Sequence, residues 1–472
     1  MKASKTIDAD YDLIVIGGGP AGENVADSAT RQGLRAAIVE SDLVGGECSY
    51  WACMPSKALL RSGHALRAAR RLPGAREAVI GELDSAAVLA RRTVFTSNWN
   101  DEGQAEWVAS AGIELIRGAG SLVGPGRVKA GERVYTARAV ALATGSVPRL
   151  PVIPGLRESR AWGTREITSS DHVPESLIVI GGGVAGTEMA FAFSALGTRV
   201  TVLARGRLLP REELFAGEQL SAALADEGVD VRSGSSPVRV DRDTDRIVTV
   251  VLDDGTSVRA SELLVATGRR PATDALGLED IGIDAPLTVD DTMLVDGTDW
   301  LYAVGDVNGR ALLTHQGKYQ ARAAGEAIAA RLRGETLADE AWGRHVATAD
   351  HGVVPRVVFT APEVAAVGLT EAQAREAGVD VRAVEYDIGH VAGASLHADG
   401  YTGRAKLVID EARRVIVGAT FVGQDVAELL HSATVAIVGE VDLDRLWHAV
   451  PAYPTISEVW LRLLETERSE RR

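Results

Sequence analysis

Two stretches of the chain repeat the same order of apolar runs and helical patterns. Tyr11–Glu40 and Glu175–Ala204 each contain an apolar, β-branched run, the pattern G-x-G-x-x-G, a stretch with helical spacing and a second apolar run. This order predicts two β-α-β units of a parallel sheet, each with a glycine-rich turn between its first strand and its helix. The first half of the chain is therefore expected to be an α/β protein with an internal repeat.

The glycines of both units are the residues that a bound dinucleotide requires. The first glycine of the pattern permits the tight turn, the second lets a pyrophosphate approach the backbone, and the third packs the helix against the strand. The pyrophosphate then lies at the positive end of the helix dipole. The glycines are Gly17, Gly19 and Gly22 in the first unit and Gly181, Gly183 and Gly186 in the second. We predict two dinucleotide sites, with a pair of ordinary glycine turns as the alternative.

The two units end differently, and the difference predicts different nucleotides. The first ends on Glu40, a carboxylate placed to bind a ribose 2′-hydroxyl. The second has Ala204 at that place, and guanidinium groups that would attract a 2′-phosphate follow it. These are Arg205, Arg207 and Arg211. We predict a nucleotide with a free ribose in the first site and NADPH in the second. NADH remains the alternative, because Gly186 is common in NAD-dependent proteins, and the arginines would then belong to a solvated loop.

Composition and charge exclude several classes of protein. The 472 residues are 46% hydrophobic and 24% charged, as in globular enzymes, and at about 150 residues per domain they predict roughly three domains. The net charge of −15 argues against a nucleic-acid or anionic-membrane partner. The sequence contains no uncharged apolar run of about 18 residues. The polar, acidic N-terminus has no signal-peptide core, and we expect a cytoplasmic protein.

The only two cysteines, Cys48 and Cys53, lie close together in GGECSYWACMPSKALLR. Two cysteines cannot form a disulfide framework or a four-thiolate metal site, and we predict no metal centre. Pro55 suits the first turn of a helix, where the pKa of a nearby thiol is lowered. Lys57 lies four residues after Cys53 on the same helix face, where its ammonium group would favour a thiolate. We predict a redox-active pair, with two buried, inert thiols as the alternative.

From Tyr11 to about Leu464 the chain resembles the flavin-dependent pyridine nucleotide–disulfide oxidoreductases, the family of lipoamide dehydrogenase, glutathione reductase and mercuric reductase. The motifs that carry the resemblance occur in the family's order: GGGPAG, GGECSYWACMPSK, LATGSVPRLP, GGGVAGTEMA, VATGRRP, YAVGDV and VVFTAPEVAAVGLTE. The resemblance implies an α/β fold with two Rossmann-like dinucleotide-binding domains, one for FAD and one for NAD(P), and a C-terminal α+β dimerisation domain. It implies a homodimer that transfers electrons to a small-molecule acceptor.

The domain boundaries expected from the resemblance divide the chain into four segments. The FAD-binding domain takes residues 1–150 and continues, as a central domain, through residues 271–345. The NAD(P)-binding domain is expected at residues 151–270, between those two parts. The dimerisation domain is expected at residues 346–472.

The resemblance also implies roles for single residues. Cys53 would be the thiol next to the flavin and Cys48 the interchange thiol, while Lys57 would pair with Glu188 beside the nicotinamide. Residues expected on the flavin or its ribityl chain are Asp306 and His315. Further cofactor-binding residues are expected at Pro20, Ala21, Gly46, Glu47, Gly118, Thr144, Gly145, Ser146, Gly268, Leu313 and Thr314.

The C-terminal segment departs from the family pattern. Disulfide reductases of the family have a His-Pro-Thr-x-x-Glu element there, whose histidine accepts and returns the proton of thiol exchange. Here Tyr453 takes the place of the histidine and Glu458 remains. A phenol is a poor base at neutral pH because its pKa lies near 10. His448 lies upstream and out of register, and we expect an ordinary histidine there.

Tyrosine at this position is similar to mercuric reductases and soluble transhydrogenases. The transhydrogenases lack the second cysteine, which this chain has, and mercuric reductases carry a further C-terminal cysteine pair, which this chain lacks. We therefore predict an FAD-dependent NAD(P)H oxidoreductase whose Cys48–Cys53 disulfide takes electrons from the flavin. Its acceptor would be a disulfide, a metal ion or a quinone, and reduction of lipoamide and glutathione disulfide would be weak. The alternatives are a quinone reductase or transhydrogenase-like enzyme that uses the flavin directly, a lipoamide dehydrogenase-like enzyme, and a redox-sensing flavoprotein.

Overall fold

The computed structural model describes residues 9–471, which form two compact units. The first unit comprises Met1–Pro55, Thr93–Arg149 and Arg269–His351, and the second comprises Ser56–Arg92, Leu150–Gly268 and Gly352–Arg472. The polar segment from which we predict the absence of a signal peptide includes residues 1–8, which lie outside the described residues. Within residues 9–471, no helix is both long and apolar enough to cross a membrane.

The strands, in chain order, are β1 (Tyr11–Ile16), β2 (Ala36–Glu40), β3 (Glu114–Arg117), β4 (Gly120–Gly124), β5 (Arg127–Ala130), β6 (Arg133–Leu142), β7 (Ser146–Pro148), β8 (Ser176–Ile180), β9 (Arg199–Ala204), β10 (Asp230–Ser233), β11 (Pro237–Arg242), β12 (Val248–Leu252), β13 (Ser257–Ala260), β14 (Glu262–Val265), β15 (Arg269–Pro271), β16 (Leu301–Ala303), β17 (Arg356–Val358), β18 (Glu363–Gly368), β19 (Val381–Asp387), β20 (Arg404–Asp410) and β21 (Val415–Gly423).

The α-helices are α1 (Pro20–Arg31), α2 (Gly46–Tyr50), α3 (Cys53–Arg70), α4 (Ala75–Ala78), α5 (Ser85–Phe95), α6 (Glu102–Ser110), α7 (Thr164–Ser169), α8 (Val184–Ala195), α9 (Leu214–Asp226), α10 (Thr314–Arg333), α11 (Glu371–Glu376), α12 (Ala392–His397), α13 (Leu430–Val438), α14 (Leu443–Leu446) and α15 (Val459–Glu470). Short 3₁₀ helices occur at Ser97–Trp99, Glu279–Ile281, Gly305–Asn308, Thr348–His351, Ile388–His390, Val426–Leu429 and Ile456–Glu458.

The first unit is built on a sheet whose parallel part has the strand order β3-β2-β1-β6-β16. The strand β6 also pairs with β5, and β5 with β4, in an antiparallel meander. Every residue of β2 is buried, as expected for a parallel strand that is covered on both faces. The helices α1 and α10 pack closely, since a Cβ on Gly325 would come within 2.5 Å of Ser28. Ser28 also donates a hydrogen bond to the carbonyl oxygen of Arg322.

The second unit contains three sheets. Its parallel sheet has the order β10-β9-β8-β14, an antiparallel sheet joins β11, β12 and β13, and a five-stranded antiparallel sheet has the order β17-β18-β21-β20-β19. The strands and helices β1-α1-β2 and β8-α8-β9 are the two repeated units predicted from the sequence, and the predicted α/β fold class is confirmed.

Candidate active site

The glycines of each turn have different spatial roles. In the first unit, Gly17 has a φ of +107°, and a Cβ on Gly22 would lie 1.9 Å from the carbonyl oxygen of Gly17. A Cβ on Gly19, in contrast, would meet no atom closer than 3.9 Å, at the Cα of Gly46. The first and third glycines are therefore required by the fold, whereas Gly19 leaves open space before α1, which begins at Pro20.

The second unit repeats this arrangement. Gly181 has a φ of +130°, and a Cβ on Gly186 would lie 2.1 Å from the carbonyl oxygen of Gly181. A Cβ on Gly183 would meet no atom of the described residues within 4 Å. Both turns are therefore open at their middle glycine, beside a helix N-terminus that can receive a phosphate group.

Glu40 ends β2 beside the first turn. One carboxylate oxygen accepts a hydrogen bond from the backbone N–H of Gly18 at 2.6 Å, and the other accepts from the N–H of Asp42 at 2.6 Å. These two bonds hold the carboxylate in one orientation at the carboxyl end of the parallel strand.

A polar network lies elsewhere in the first unit. Ser146 donates a hydrogen bond to Asp306 at 2.5 Å, and the Nε of Arg269 donates to Ser146 at 2.6 Å. Arg269 also forms an ion pair with Glu47. Burial raises the pKa of the Asp306 carboxyl, while Ser146 and Arg269 oppose this shift. Arg269 is not among the site residues predicted above, although it directly follows Gly268 in the VATGRRP motif.

The two thiols lie in consecutive helices. Cys48 is the middle residue of α2, and Cys53 is the first residue of α3. No disulfide bond joins them in this structure. The Oγ1 of Thr314, at the start of α10, lies 3.3 Å from the sulfur of Cys53. The hydrogen bond between the Cys48 thiol and Cys53, followed by burial, raises the pKa of the Cys48 thiol, while Thr314 and Lys318 oppose this shift.

The second unit contains an ion pair of which one partner is buried. The Nζ of Lys57 lies 2.7 Å from the Oε2 of Glu188, whose side chain is 3% exposed. The other carboxylate oxygen of Glu188 accepts a hydrogen bond from the N–H of Phe359 at 3.0 Å. Lys57 also lies 5.0 Å from the centre of the Phe359 ring. The resemblance implied this pair, whereas Phe359, within the VVFTAPEVAAVGLTE motif, is not among the predicted site residues.

The arginines after β9 differ in their contacts. Arg207 donates hydrogen bonds to the carbonyl oxygens of Leu209, Pro210 and Glu212, which holds the loop in its conformation. Arg205 and Arg211 have exposed side chains. Of the three arginines, Arg205 and Arg211 could therefore bind a nucleotide without breaking hydrogen bonds that hold the loop in its conformation.

The C-terminal segment lies in the second unit. Tyr453 is 76% exposed. Glu458 is buried, and its Oε1 accepts a hydrogen bond from Arg462 at 2.6 Å. Its Oε2 has no hydrogen-bond partner among residues 9–471. His448 is exposed.

The remaining residues predicted for the cofactor sites divide between the two units. In the first unit, Pro20 and Ala21 begin α1, and Gly118 and Gly145 have positive φ. Leu313 directly precedes α10, and His315 is exposed in the first turn of that helix. Thr144 donates a hydrogen bond to the carbonyl oxygen of Ala272, within the same unit. Gly268 ends a segment of the second unit.

Comparisons with known proteins agree with this architecture. Residues 11–327 match the family model described as pyridine nucleotide-disulphide oxidoreductase, and residues 354–463 match its dimerisation domain. The chain is 33% identical to a dihydrolipoyl dehydrogenase of Chlorobaculum tepidum, over 97% of both chains. It is 31% identical to a mercuric reductase of Streptomyces lividans, over 98% of this chain and 97% of that protein. The solved structure of LpdA from Mycobacterium tuberculosis is similar, with a TM-score of 0.81, 27% identity, and coverage of 96% of this chain and 99% of that chain.

Proposed function

Because the chain belongs to the pyridine nucleotide-disulphide oxidoreductase family, we propose that it is a homodimeric flavoenzyme that passes electrons from NADPH through the Cys48–Cys53 pair to a small acceptor. The observation that carries this proposal is the thiol pair itself, with Cys53 at the start of α3 and within 3.3 Å of Thr314. We place the FAD-binding, NAD(P)-binding and dimerisation domains at the boundaries expected from the sequence.

The first unit fits FAD. The space beside Gly19 can accommodate a pyrophosphate. Glu40, at the carboxyl end of β2, would bind the ribose, and the carboxyl group of Asp306 would bind a hydroxylated chain. When bound, FAD would accept hydride from the reduced pyridine nucleotide and supply two electrons to the disulfide.

The two thiols would divide the products of disulfide reduction. Two electrons and one proton convert the disulfide to one thiol and one thiolate. Cys48 retains the proton because Cys53 and burial raise its pKa. Cys53 carries the thiolate at the N-terminus of α3, where the helix dipole stabilises negative charge.

The second unit would bind the pyridine nucleotide. Gly183 leaves room for the pyrophosphate, and Arg205 and Arg211 would bind a 2′-phosphate. We expect Arg205→Ala and Arg211→Ala each to raise the Kd of NADPH about tenfold, because a hydrogen bond to a charged group contributes about 1.5–3 kcal/mol. The Kd of NADH should not change. Arg199→Ala, which removes another exposed arginine of this unit, is the matched control.

The acceptor is proposed from the C-terminal segment. Tyr453 supplies no imidazole, and Arg462 holds one oxygen of Glu458. Lipoamide and glutathione disulfide should therefore be poor substrates, because their exchange needs a base. The same observation favours a second candidate function, in which quinones are reduced without the thiols.

An anaerobic titration with NADPH, and separately with NADH, tests these proposals. Two electrons should produce a long-wavelength absorbance band, typical of a thiolate beside an oxidised flavin, and Cys53→Ser should abolish it. If the flavin bleaches directly without this band, the thiols do not take part in electron transfer. Quinone reduction that persists in Cys53→Ser would then support the second candidate.

A further inference from the structure

The loop between β9 and α9, residues 205–213, has a backbone conformation that its own residues do not favour. Leu209 has a φ of +46°, a positive value that a residue with a Cβ rarely adopts. The N–H of Leu209 donates a hydrogen bond at 2.9 Å to the carbonyl oxygen of Gly182, in the glycine-rich turn between β8 and α8. Such a conformation persists only where surrounding contacts fix it. The contacts that hold this loop therefore determine where its exposed arginines lie.

Two buried acids end this loop. Glu212 and Glu213 lie between the exposed Arg211 and the first residue of α9. Arg356, in β17, binds both carboxylate oxygens of Glu212, with its Nε 2.9 Å from Oε1 and its Nη2 3.2 Å from Oε2. Two parallel hydrogen bonds of this kind fix the orientation of the carboxylate as well as its distance. The place of Arg211 therefore depends, through the next residue, on an arginine 144 positions away from Glu212 in the chain.

Glu213 is held by a second cation, Lys406, in β20 of the same five-stranded sheet. The Oε2 of Glu213 lies 3.1 Å from the Nζ of Lys406, and its Oε1 accepts a hydrogen bond from the N–H of Glu371 at 2.8 Å. The carboxylates of Glu371 and Glu385 also lie 2.7 Å and 3.5 Å from this ammonium group. Burial alone would lower the pKa of Lys406, but hydrogen bonds to Glu371 and Glu213 raise it above its ordinary value. The buried lysine is therefore charged and holds Glu213 as a carboxylate.

Both cations belong to the segment that matches the dimerisation domain, residues 354–463, whereas the loop belongs to residues 11–327, which match the other family model. The loop and both cations lie in the second compact unit. We propose that Arg356 and Lys406 are positioning residues for the pyridine nucleotide, which hold the end of the loop and so place Arg211 against a 2′-phosphate. The inference rests on the proposed function, which assigns NADPH to this site.

Loss of an anchor should affect only a nucleotide that carries the 2′-phosphate. Without Arg356 or Lys406, the loop would leave its binding conformation for part of the time. The apparent Kd rises in inverse proportion to the fraction of protein in the binding conformation, so a fall to about one fifth raises the Kd about fivefold. A nucleotide with a free 2′-hydroxyl has no phosphate for Arg211, and its Kd should not change.

Isothermal titration calorimetry of the oxidised, FAD-loaded protein with NADP⁺, and separately with NAD⁺, tests the proposal. Because protein and nucleotides are both oxidised, the Kd reports binding without electron transfer. Arg356→Met should raise the Kd of NADP⁺ about fivefold and change that of NAD⁺ less than about twofold, and Lys406→Met should act in the same direction. The matched control is Arg242→Met, because Arg242 is also partly buried and binds both oxygens of Glu262 in the same unit. It should leave both constants unchanged.

A cycle of double variants separates positioning from a general loss of stability. If Arg356 acts by placing Arg211, then Arg356→Met should raise the Kd of NADP⁺ no further in a protein that already has Arg211→Ala. Arg356→Lys retains the positive charge and should recover part of the native affinity. If Arg356→Met does not fold, Arg356→Lys and Glu212→Gln provide the same comparison, because each weakens the anchor while retaining a hydrogen-bonding side chain.

An unchanged Kd of NADP⁺ in Arg356→Met would overturn the proposal, as would an equal rise for NADP⁺ and NAD⁺ or additive effects in the double variant. A failure of the proposed function gives a different result. If the native protein binds both nucleotides alike and Arg211→Ala changes neither constant, the assignment of NADPH is wrong and the inference fails with it. If Arg211→Ala removes a preference for NADP⁺ that Arg356→Met leaves intact, only the inference is wrong.

Discussion

Replacement of Lys57 and replacement of Glu188 should have unequal effects on stability, because only the side chain of Lys57 can reach water. The side chain of Lys57 is 37% exposed, whereas that of Glu188 is 3% exposed. Replacement of Lys57 leaves a buried carboxylate that accepts one hydrogen bond from the described residues, from the N–H of Phe359 at 3.0 Å. Replacement of Glu188 by glutamine retains an acceptor for that N–H, and the ammonium group of Lys57 can turn to solvent.

The expected cost follows from this exposure. An exposed pair contributes about 0.2–1 kcal/mol, whereas removal of one partner from a buried pair costs about 3–5 kcal/mol. For a pair with one buried partner we expect Lys57→Met to cost about 2 kcal/mol, or about thirtyfold in the local opening equilibrium. Glu188→Gln should cost less than 1 kcal/mol. The double variant should cost less than Lys57→Met alone, because it removes the buried charge as well.

Hydrogen exchange of the peptide that contains Phe359 measures this cost, since its amide protection reports local opening. Lys57→Met should reduce the protection about thirtyfold, and the double variant should recover most of it. Lys129→Met is the matched control, because Lys129 is exposed in the other unit. If Lys57→Met and Lys129→Met exchange alike, or if the two single changes add in the double variant, the pair is equivalent to a surface ion pair and the reasoning is wrong.

Three further predictions concern the cofactor, acid stability and the acceptor. Gly22→Ala should purify without FAD, because its Cβ would lie 1.9 Å from the carbonyl oxygen of Gly17. The control Gly81→Ala places its Cβ in open space and should retain the flavin. The flavin absorbance of each purified variant measures the outcome. Burial lowers the pKa of His64 from 6.5 to about 4. Between pH 4 and 6.5 the unfolded chain therefore binds more protons than the folded protein, and the free energy of unfolding falls as the pH falls. Thermal unfolding of His64→Phe should therefore depend less on pH between 4 and 6.5, and an unchanged dependence would contradict this. Tyr453→Phe should leave the low rate of lipoamide reduction unchanged in a steady-state NADPH assay, and a clear loss would show that the phenol takes part.

The repeated turns could be predicted from the sequence because their constraints are local. Gly17 must adopt a positive φ and Gly22 must lie against its own turn, so the residue types record the conformation directly. The spacing of Cys48 and Cys53, with a proline soon after, similarly indicates the start of α3. The resemblance extended these local patterns to the family, which the comparisons confirm.

The contacts of individual polar side chains depended on residues far apart in the chain. Lys57 and Glu188 are 131 positions apart, and only the resemblance suggested their pairing. Neither Arg269 nor the hydrogen bond from Phe359 could be inferred from spacing, because each depends on how separate segments pack.

The two glycine turns, the α/β class and the thiol pair could be predicted from residue types alone, since hydrophobic period and residue type act within a few positions of the chain. Only the tertiary structure distinguished Arg207, whose donors are occupied by carbonyl oxygens of its own loop, from its exposed neighbours. It alone showed that Glu23 is buried, because burial depends on how α1 packs against segments that are distant in the chain. A residue type states which chemistry a side chain can perform, whereas packing decides which groups it meets and what its pKa becomes.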